Sequence, residues 1–202
     1  LEDLKITFSL LGDDALIEAA AQDIASGKVI GWMQGAFEWG PRALGFRSIL
    51  ADPANPGMKE HVNRSIKFRE AFRPFAPSIR IEDAPDYFDL PQGGDSPLEW
   101  MLLVTPVKAE MAPLLPSITH ADGTARVQTV RREVNPLYHR LIGAVGERTG
   151  HPVVLNTSFN LKGEPMVSSP IDALATFQRS GMDVLYLGGH RIERSGLPGE
   201  SG

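Results

Sequence analysis

Apolar residues recur at helical spacing early in the chain, at Leu16, Ile17, Ala20, Ala21 and Ile24. This is one face of an amphipathic helix. Asp13 or Asp14 supplies an N-cap, the helix runs to about Ser26, and Gly27 suits the position after its end. Residues 28–33 follow as an almost unbroken apolar run and read as a buried strand. Helix, glycine, buried strand is the alternation of an α/β fold. The same reading predicts strands over 48–51, 75–81, 100–105, 125–130, 152–155 and 184–187, with a few more strand residues near Ile192. Helices are predicted over 58–66, 82–88, from Asn135 or Pro136 to about Arg148, and from Ser169 or Pro170 to about Ser180. A short helical piece is expected within 106–117, and Asp122-Gly123 is a hairpin-type turn signal.

The breaks are as informative as the runs. Gly35, Gly40, Pro41 and Gly45 keep residues 34–47 out of regular structure, directly after a strand, where α/β folds place ligands. No phosphate-binding Gly-x-x-x-x-Gly-Lys-Ser/Thr pattern is present. Residues 91–97 (PQGGDSP) read as a flexible loop or lid. Residues 1–194 are expected to form one domain, and 195–202 a disordered tail. The fold class is therefore α/β, a single domain with a twisted mixed sheet flanked by helices.

Composition narrows the function. The 202 residues are 42% hydrophobic and 22% charged, as in soluble globular domains. The net charge of −5 argues against general nucleic-acid binding, which needs a basic face. With no cysteine there is neither a disulfide framework nor a thiolate metal site, and the five histidines show no metal-ligand spacing. No metal site is expected in the chain. No membrane-spanning run or signal peptide is visible, so a cytoplasmic protein is expected. The chain starts at Leu1 rather than methionine and is expected to be a piece of a longer protein.

Against this acidic background the cations cluster. Lys67, Arg69 and Arg73 alternate with Phe68, Phe72 and Phe75, and Pro74 and Pro77 hold the segment out of a long helix. Taken alone, this is equally an amphipathic segment whose cations snorkel to water. Arg42 and Arg47 lie in the glycine-rich loop, and Arg126 lies on the predicted strand over 125–130. Asn156, Thr157, Ser158 and Asn160 follow the buried strand 152–155 and exceed what a turn cap requires. If these segments converge, they form a pocket of fixed cations ringed by neutral hydrogen-bonding groups. Such a pocket suits a ligand with phosphate groups and a small planar amide or carboxylate. Phosphoryl or adenylyl transfer needs mainly positioning and charge stabilisation of this kind, usually with Mg²⁺. Ser158 with a spatially adjacent histidine is a weaker, hydrolase reading.

Four stretches carry a family resemblance: Gly40-Pro-Arg-Ala-Leu-Gly-Phe-Arg-Ser48, residues 67–77, Asp122-Gly-Thr-Ala-Arg-Val-Gln-Thr129, and Leu155-Asn-Thr-Ser-Phe-Asn160 with Gly163-Glu-Pro165. The sequence resembles the C-terminal domain of the NodU-type O-carbamoyltransferases, which carbamoylate hydroxyl groups of Nod factors and antibiotics. That domain is similar to the YrdC/Sua5 domain, and residues 156–160 resemble the Ser-Thr-Ser-Ala-Asn signature of that fold. The resemblance implies that carbamoyl phosphate and ATP, with Mg²⁺, give carbamoyl-adenylate and pyrophosphate. It implies transfer to an acceptor hydroxyl by an N-terminal actin/Hsp70-like domain whose metal-binding histidines are not in this chain. By position, Lys67 and Arg73 would hold carbamoyl phosphate or the ATP phosphates, with Arg126 on the opposite wall. Ser158, Asn156 and Asn160 would bind phosphates or nucleotide, joined by Arg69 and Thr157. Arg42 and Arg47 would serve the pocket or the contact with the other domain, with Glu38 and Glu70 in weaker supporting roles. The alternative is a non-catalytic module that binds a nucleotide or a partner domain.

Overall fold

The computed structural model describes residues 1, 5–70, 72–91 and 96–197. In chain order the elements are β1 (Ser9–Leu10), α1 (Asp13–Ala25), β2 (Ile30–Met33), β3 (Arg47–Ala51) and α2 (Met58–Val62). A π-helical turn, Asn63–Lys67, continues α2 and is followed by β4 (Ala76–Arg80), α3 (Ala84–Tyr87), α4 (Ser96–Glu99) and β5 (Thr105–Pro106). Then come β6 (Thr124–Ala125), β7 (Gln128–Val130), α5 (Pro136–Thr149), β8 (Val153–Ser158), α6 (Pro170–Arg179), β9 (Val184–Leu187) and β10 (His190–Glu193).

Eight strands form one sheet in the order β1-β10-β9-β2-β3-β8-β4-β7. β2 runs parallel to β9 and β4 parallel to β7, while the remaining neighbours are antiparallel. This is the mixed α/β sheet expected from the sequence. Its two faces are covered separately, because successive strand side chains point to opposite sides. Ile30, Trp32, Leu50, Val154 and Tyr186 pack under α1 and α5. Ile49, Ala51, Val153, Leu155 and Leu185 pack on the other side with α6 and with Met58, Val62 and Ile66 of α2 and the π turn.

The caps follow the sequence where side-chain chemistry is unambiguous. Asn135 caps α5 by accepting the Tyr138 N–H (3.1 Å). Ser169 caps α6 in a reciprocal box with Asp172, and Pro170 takes the first helical position. At α1 the N-cap is Gly12, not an aspartate; Asp13 and Asp14 sit inside the first turn, where their charge complements the helix dipole.

Several predicted bounds are corrected. The 58–66 helix divides into α2 and the π turn, and ends at Phe68 in a left-handed conformation (φ 47°). The 125–130 strand is interrupted between β6 and β7 at Arg126 and Val127. The 152–155 strand extends to Ser158, so the polar Asn-Thr-Ser group is itself part of the sheet. The apolar run 100–105 is not a core strand: Trp100, Leu102, Leu103 and Val104 are exposed, and only Thr105 pairs, with Ala125. Met101 at φ 55° turns the chain out of extended geometry there, which no periodicity in the run announces. Of the predicted 91–97 lid, residues 92–95 lie outside the described residues. Of the predicted tail, Arg194–Gly196 forms a 3₁₀ turn and Leu197 is buried, while 198–202 lie outside the described residues.

Gly45 joins the glycine-rich loop to this frame. Its carbonyl accepts Trp32 Nε1 (3.0 Å) and Asn135 Nδ2 (3.3 Å), and its φ is +101°. A Cβ at this position would sit against the Tyr138 ring at less than a bond-free contact distance. Gly45→Ala therefore combines backbone strain with overpacking and is expected to destabilise the fold by roughly 3–5 kcal/mol. Urea unfolding checks this; a loss below about 1 kcal/mol would show that the loop and Tyr138 move apart freely.

Candidate functional site

The site is built where β8 ends and the antiparallel β3 and β4 begin, between the glycine-rich loop and the segment that follows the π turn. Two of the loop's charges, Glu38 and Arg47, are turned inward. The Glu38 carboxylate, buried, accepts the Leu44 N–H (2.5 Å) and the Arg47 N–H (2.7 Å). Burial pushes this carboxyl up from its ordinary value, and the N–H groups oppose that shift. Arg47 donates to the carbonyls of Gln34 (2.7 Å), Phe46 (3.0 Å) and Gly35 (3.1 Å). Arg47 is thus a loop brace within β3 and does not line the groove described below.

Under the loop lies a buried polar knot. Asn156, 1% exposed, donates from Nδ2 to Ala43 O, Ser78 Oγ and Gln128 Oε1, each at 3.0 Å. Ser78 Oγ also donates to Gln128 Oε1 (2.6 Å), and Gln128 Nε2 donates to Leu44 O (3.0 Å). Three strands and the loop are thereby fixed to one another. Asn156 acts through this floor. Ser78 and Gln128 were not singled out from sequence as site residues, although Gln128 shares a predicted strand face with Arg126.

The basic strip is held equally firmly. Lys67, 6% exposed, donates from Nζ to Ser158 O (2.5 Å), Asn160 Oδ1 (2.9 Å), Asn160 O (3.0 Å) and Ser158 Oγ (3.3 Å). Ser158 Oγ in turn donates to Asn160 Oδ1 (2.6 Å). Arg69 donates from Nε to Asn63 Oδ1 (2.7 Å), and its guanidinium lies 4.6 Å from the centroid of Phe75. Asn63 thus orients Arg69 and was missed from sequence; its place one turn before Lys67 was the available signal. Arg73 is exposed and pairs with Glu70 at 3.1 Å.

These segments enclose two adjoining cavities. The inner one, about 120 Å³, is walled by Arg42, Arg69, Arg126, Asn156, Thr157 and Ser158. The outer one, about 250 Å³, is walled by Lys67, Arg69, Arg73, Ser158, Asn160 and Lys162. Arg69 and Ser158 belong to both. Arg42, Lys67, Arg69, Arg73, Arg126, Asn156, Thr157, Ser158 and Asn160 thus converge, whereas Arg47 does not; Lys162 is an addition that sequence reasoning passed over. The only carboxylate among the described lining residues is Glu70, already paired with Arg73. Arg126 Nε is buried with no hydrogen-bond partner, and among the described residues no carboxylate pairs with Arg126. Burial, then the neighbouring Arg42, hold its guanidinium below the ordinary value.

A serine–histidine relay is not formed. Ser158 Oγ is engaged by Asn160 and Lys67. His61, His120, His139, His151 and His190 have other partners: Ser65, Thr124, Glu82, Tyr87 and the Leu187 carbonyl.

Comparison with known proteins places the chain in a family. The family described as "Carbamoyltransferase C-terminus" matches residues 21–194. The chain belongs to the carbamoyltransferase C-terminal family. It is 48% identical over 181 residues to nodulation protein NolNO of Sinorhizobium fredii, covering 90% of this chain and 26% of the relative. It is 37% identical over 172 residues to a 3'-hydroxymethylcephem-O-carbamoyltransferase of Amycolatopsis lactamdurans, covering 85% of this chain and 32% of the relative. The chain thus spans about a quarter to a third of the length of these relatives. Among solved structures it is similar to full-length HypF in a phosphate- and nucleotide-bound form (TM-score 0.62, 19% identity, 87% of this chain and 25% of that one). It is equally similar to P. abyssi Sua5 complexed with L-threonine (TM-score 0.62, 18% identity, 89% of this chain and 48% of that one). The YrdC/Sua5-like fold expected from the sequence is the observed one. Among the described residues no helix is long and apolar enough to cross a membrane.

In this carbamoyltransferase domain the donor set fits phosphate oxygens: arginines and lysines with one paired carboxylate offer no dedicated magnesium cage. Electrostatics make Lys67 responsive to such a ligand. Burial, with a smaller contribution from Arg69, pushes its ammonium down to about 7, while an anion in the groove favours the protonated form. Affinity for sulfate, whose own charge is constant in this range, is therefore expected to fall as pH rises through 7. Each unit by which sulfate raises the Lys67 pKa makes binding about tenfold weaker at pH 9 than at pH 6. Calorimetry across that range checks this; a flat profile would show that Lys67 keeps its charge unaided.

Proposed function

We propose that this domain makes carbamoyl-adenylate from carbamoyl phosphate and ATP, for transfer to an acceptor hydroxyl by an N-terminal portion of the same protein. Carbamoyl phosphate, ATP and water give carbamoyl-adenylate, inorganic phosphate and pyrophosphate. The observation that carries this reading is the pair of adjoining cationic cavities, with Arg126 half-buried and, among the described residues, unpaired in the inner one. Burying an unpaired guanidinium is costly unless an anion meets it. The family, the printed O-carbamoyltransferase activity of the cephem relative and the phosphate- and nucleotide-bound HypF structure support the choice of anions.

Water first cleaves the bridging P–O bond of carbamoyl phosphate, giving carbamate and inorganic phosphate. The carbamate oxygen, already anionic, then attacks the α-phosphorus without a general base, and the bond to the leaving pyrophosphate breaks as its charge is stabilised. Arg42, Arg69 and Arg126 supply fixed charge for the reacting oxygens, and Arg73 adds charge at the rim. Lys67 holds Ser158 and Asn160 in place and adds its own charge. Thr157 lines the inner cavity beside them. In this reading ATP with Mg²⁺ and carbamoyl phosphate are the small-molecule partners and the setting is cytoplasmic. The N-terminal partner is an actin/Hsp70-like domain that supplies the acceptor site and its metal.

Pyrophosphate release by the purified chain is expected to require Mg-ATP and carbamoyl phosphate together. Lys67→Ala and Arg126→Ala are each expected to lower the rate about 10²–10³-fold, the scale of losing one transition-state donor, with the fold retained by circular dichroism. Full activity in both variants would sink the proposal. Nucleotide binding without turnover, even with the N-terminal portion added, would favour a binding module.

A further inference from the structure

Apart from the cationic cavities, an open groove of about 970 Å³ lies at the ends of β2 and β9 and the start of α6. It shares no lining residue with either cationic cavity. Its form follows from the sequence. Ile171 and Leu174 have the spacing of one helical face on α6, and both turn to the groove. Met33 and Leu187, neighbours across the parallel β2–β9 pair, line it from the sheet. Gly188 and Gly189 join β9 to β10 without side chains, which leaves the hollow open. At Gly189 a Cβ would meet the Leu11 carbonyl oxygen at 2.9 Å, so the chain after β1 can approach only a glycine.

The surface is apolar and faces water. Ile171 is 74% exposed, and Leu10, beside Gly189, is 71% exposed. Among the described residues no charged side chain lines the groove. Its polar side chains are tied to nearby backbone: Gln34 Nε2 donates to Gly188 O (3.0 Å), and His190 Nδ1 donates to Leu187 O (3.1 Å). A small-molecule site needs convergent polar groups to orient its ligand. An open apolar groove without them fits the side chains of another protein surface.

We propose that this groove seats the N-terminal portion of the same protein, which lays uncharged apolar side chains against Met33, Ile171 and Leu174. The inference rests on the reading above for the existence of that portion. Two observations choose this occupant. The chain covers 26% of the nodulation relative and 32% of the cephem relative, so most of such a protein lies outside it. Leu1 lines the groove, so a chain joined ahead of Leu1 begins in the seat. A tether that short holds its partner at high effective concentration, and modest apolar contact is then enough to dock it.

The seat is mechanically linked to the glycine-rich loop. Gln34 and Gly35 line it, and their carbonyls accept from the Arg47 guanidinium (2.7 and 3.1 Å). The Arg47 N–H is in turn held by Glu38 (2.7 Å). A portion resting on Gln34 and Gly35 bears on the brace of the loop that carries Arg42, and leaves both cationic cavities open. Arg47 thus serves the domain contact through backbone carbonyls rather than by its own side chain.

Alkylation of Ile171→Cys tests this, read at that residue by peptide mass spectrometry in the isolated chain and in the full-length protein. The introduced thiol is expected to react about tenfold or more slower in the full-length protein. In the full-length protein Ile171→Glu is expected to release the two portions, so that limited proteolysis between them is about tenfold faster. The isolated Ile171→Glu chain is expected to keep its circular dichroism and its sulfate affinity within about twofold, as a surface substitution does. Equal alkylation in the two proteins, or no gain in proteolysis, would overturn the proposal. A dimer of the isolated chain that Ile171→Glu dissociates in sedimentation would assign the groove to a second copy and overturn it as well. Slow alkylation in a full-length protein that forms no pyrophosphate would remove the adenylate reading and leave the seat standing. Fast alkylation in one that forms pyrophosphate would do the opposite.

Discussion

The Lys67 ammonium is the point on which the arrangement rests. Four oxygens from Ser158 and Asn160 surround it, and two of them are backbone carbonyls. This contact bolts the turn after α2 to the end of β8, two segments about ninety residues apart in sequence. Both cavities share the wall it creates. The carbonyl oxygens offset part of the desolvation of the charge, but they are neutral, so the positive charge of the protonated form is not cancelled and remains available to a ligand. A carboxylate partner would stabilise the lysine more and cancel that charge.

The local geometry before Lys67 serves the same end. A regular α-helix would advance through Lys67 and carry Arg69 a further turn away. The π turn of Asn63–Lys67 and the left-handed Phe68 instead fold the chain back, so that Arg69 meets Asn63 from the same turn. Irregular helical turns of this kind are frequent at functional sites because they re-aim side chains at a modest cost in backbone energy. On the opposite wall the same economy of partners holds: Glu38 and Arg47 stiffen the loop through backbone groups and leave Arg42 unpaired at the rim.

The strands and helices that pack on both faces were legible because their apolar pattern and caps are strong: Asn135 and Ser169 announce α5 and α6, and residues 28–33 announce β2. The convergence of Lys67, Arg69, Arg126 and Ser158 was legible only as a condition: the cations interleaved with phenylalanines fit an amphipathic segment as well, and it was the clustered amides and the family resemblance that favoured a shared pocket. What the sequence hid was direction. Arg47 sits five residues from Arg42, yet one points to backbone carbonyls and the other to the groove, a difference set by the start of β3. Asn156 looked like a ligand group and is mainly a floor tie. Asn63, Ser78 and Gln128 looked ordinary because their partners come from distant strands. The run from Trp100 to Val104 has the composition of a core strand, yet the chain turns at the left-handed, buried Met101 and leaves Trp100, Leu102, Leu103 and Val104 at the surface.

The charge distribution, a cationic groove on a chain of net charge −5, favours small anions over polyanions on electrostatic grounds. Beyond a Debye length of about 8 Å at physiological ionic strength, a polyanion meets an acidic surface with little attraction. Within the groove, the cations lie against low-dielectric walls and act at short range, where screening is weak. An anion therefore gains most by entering fully, which rewards compact phosphates and the end of a triphosphate over an extended phosphate backbone.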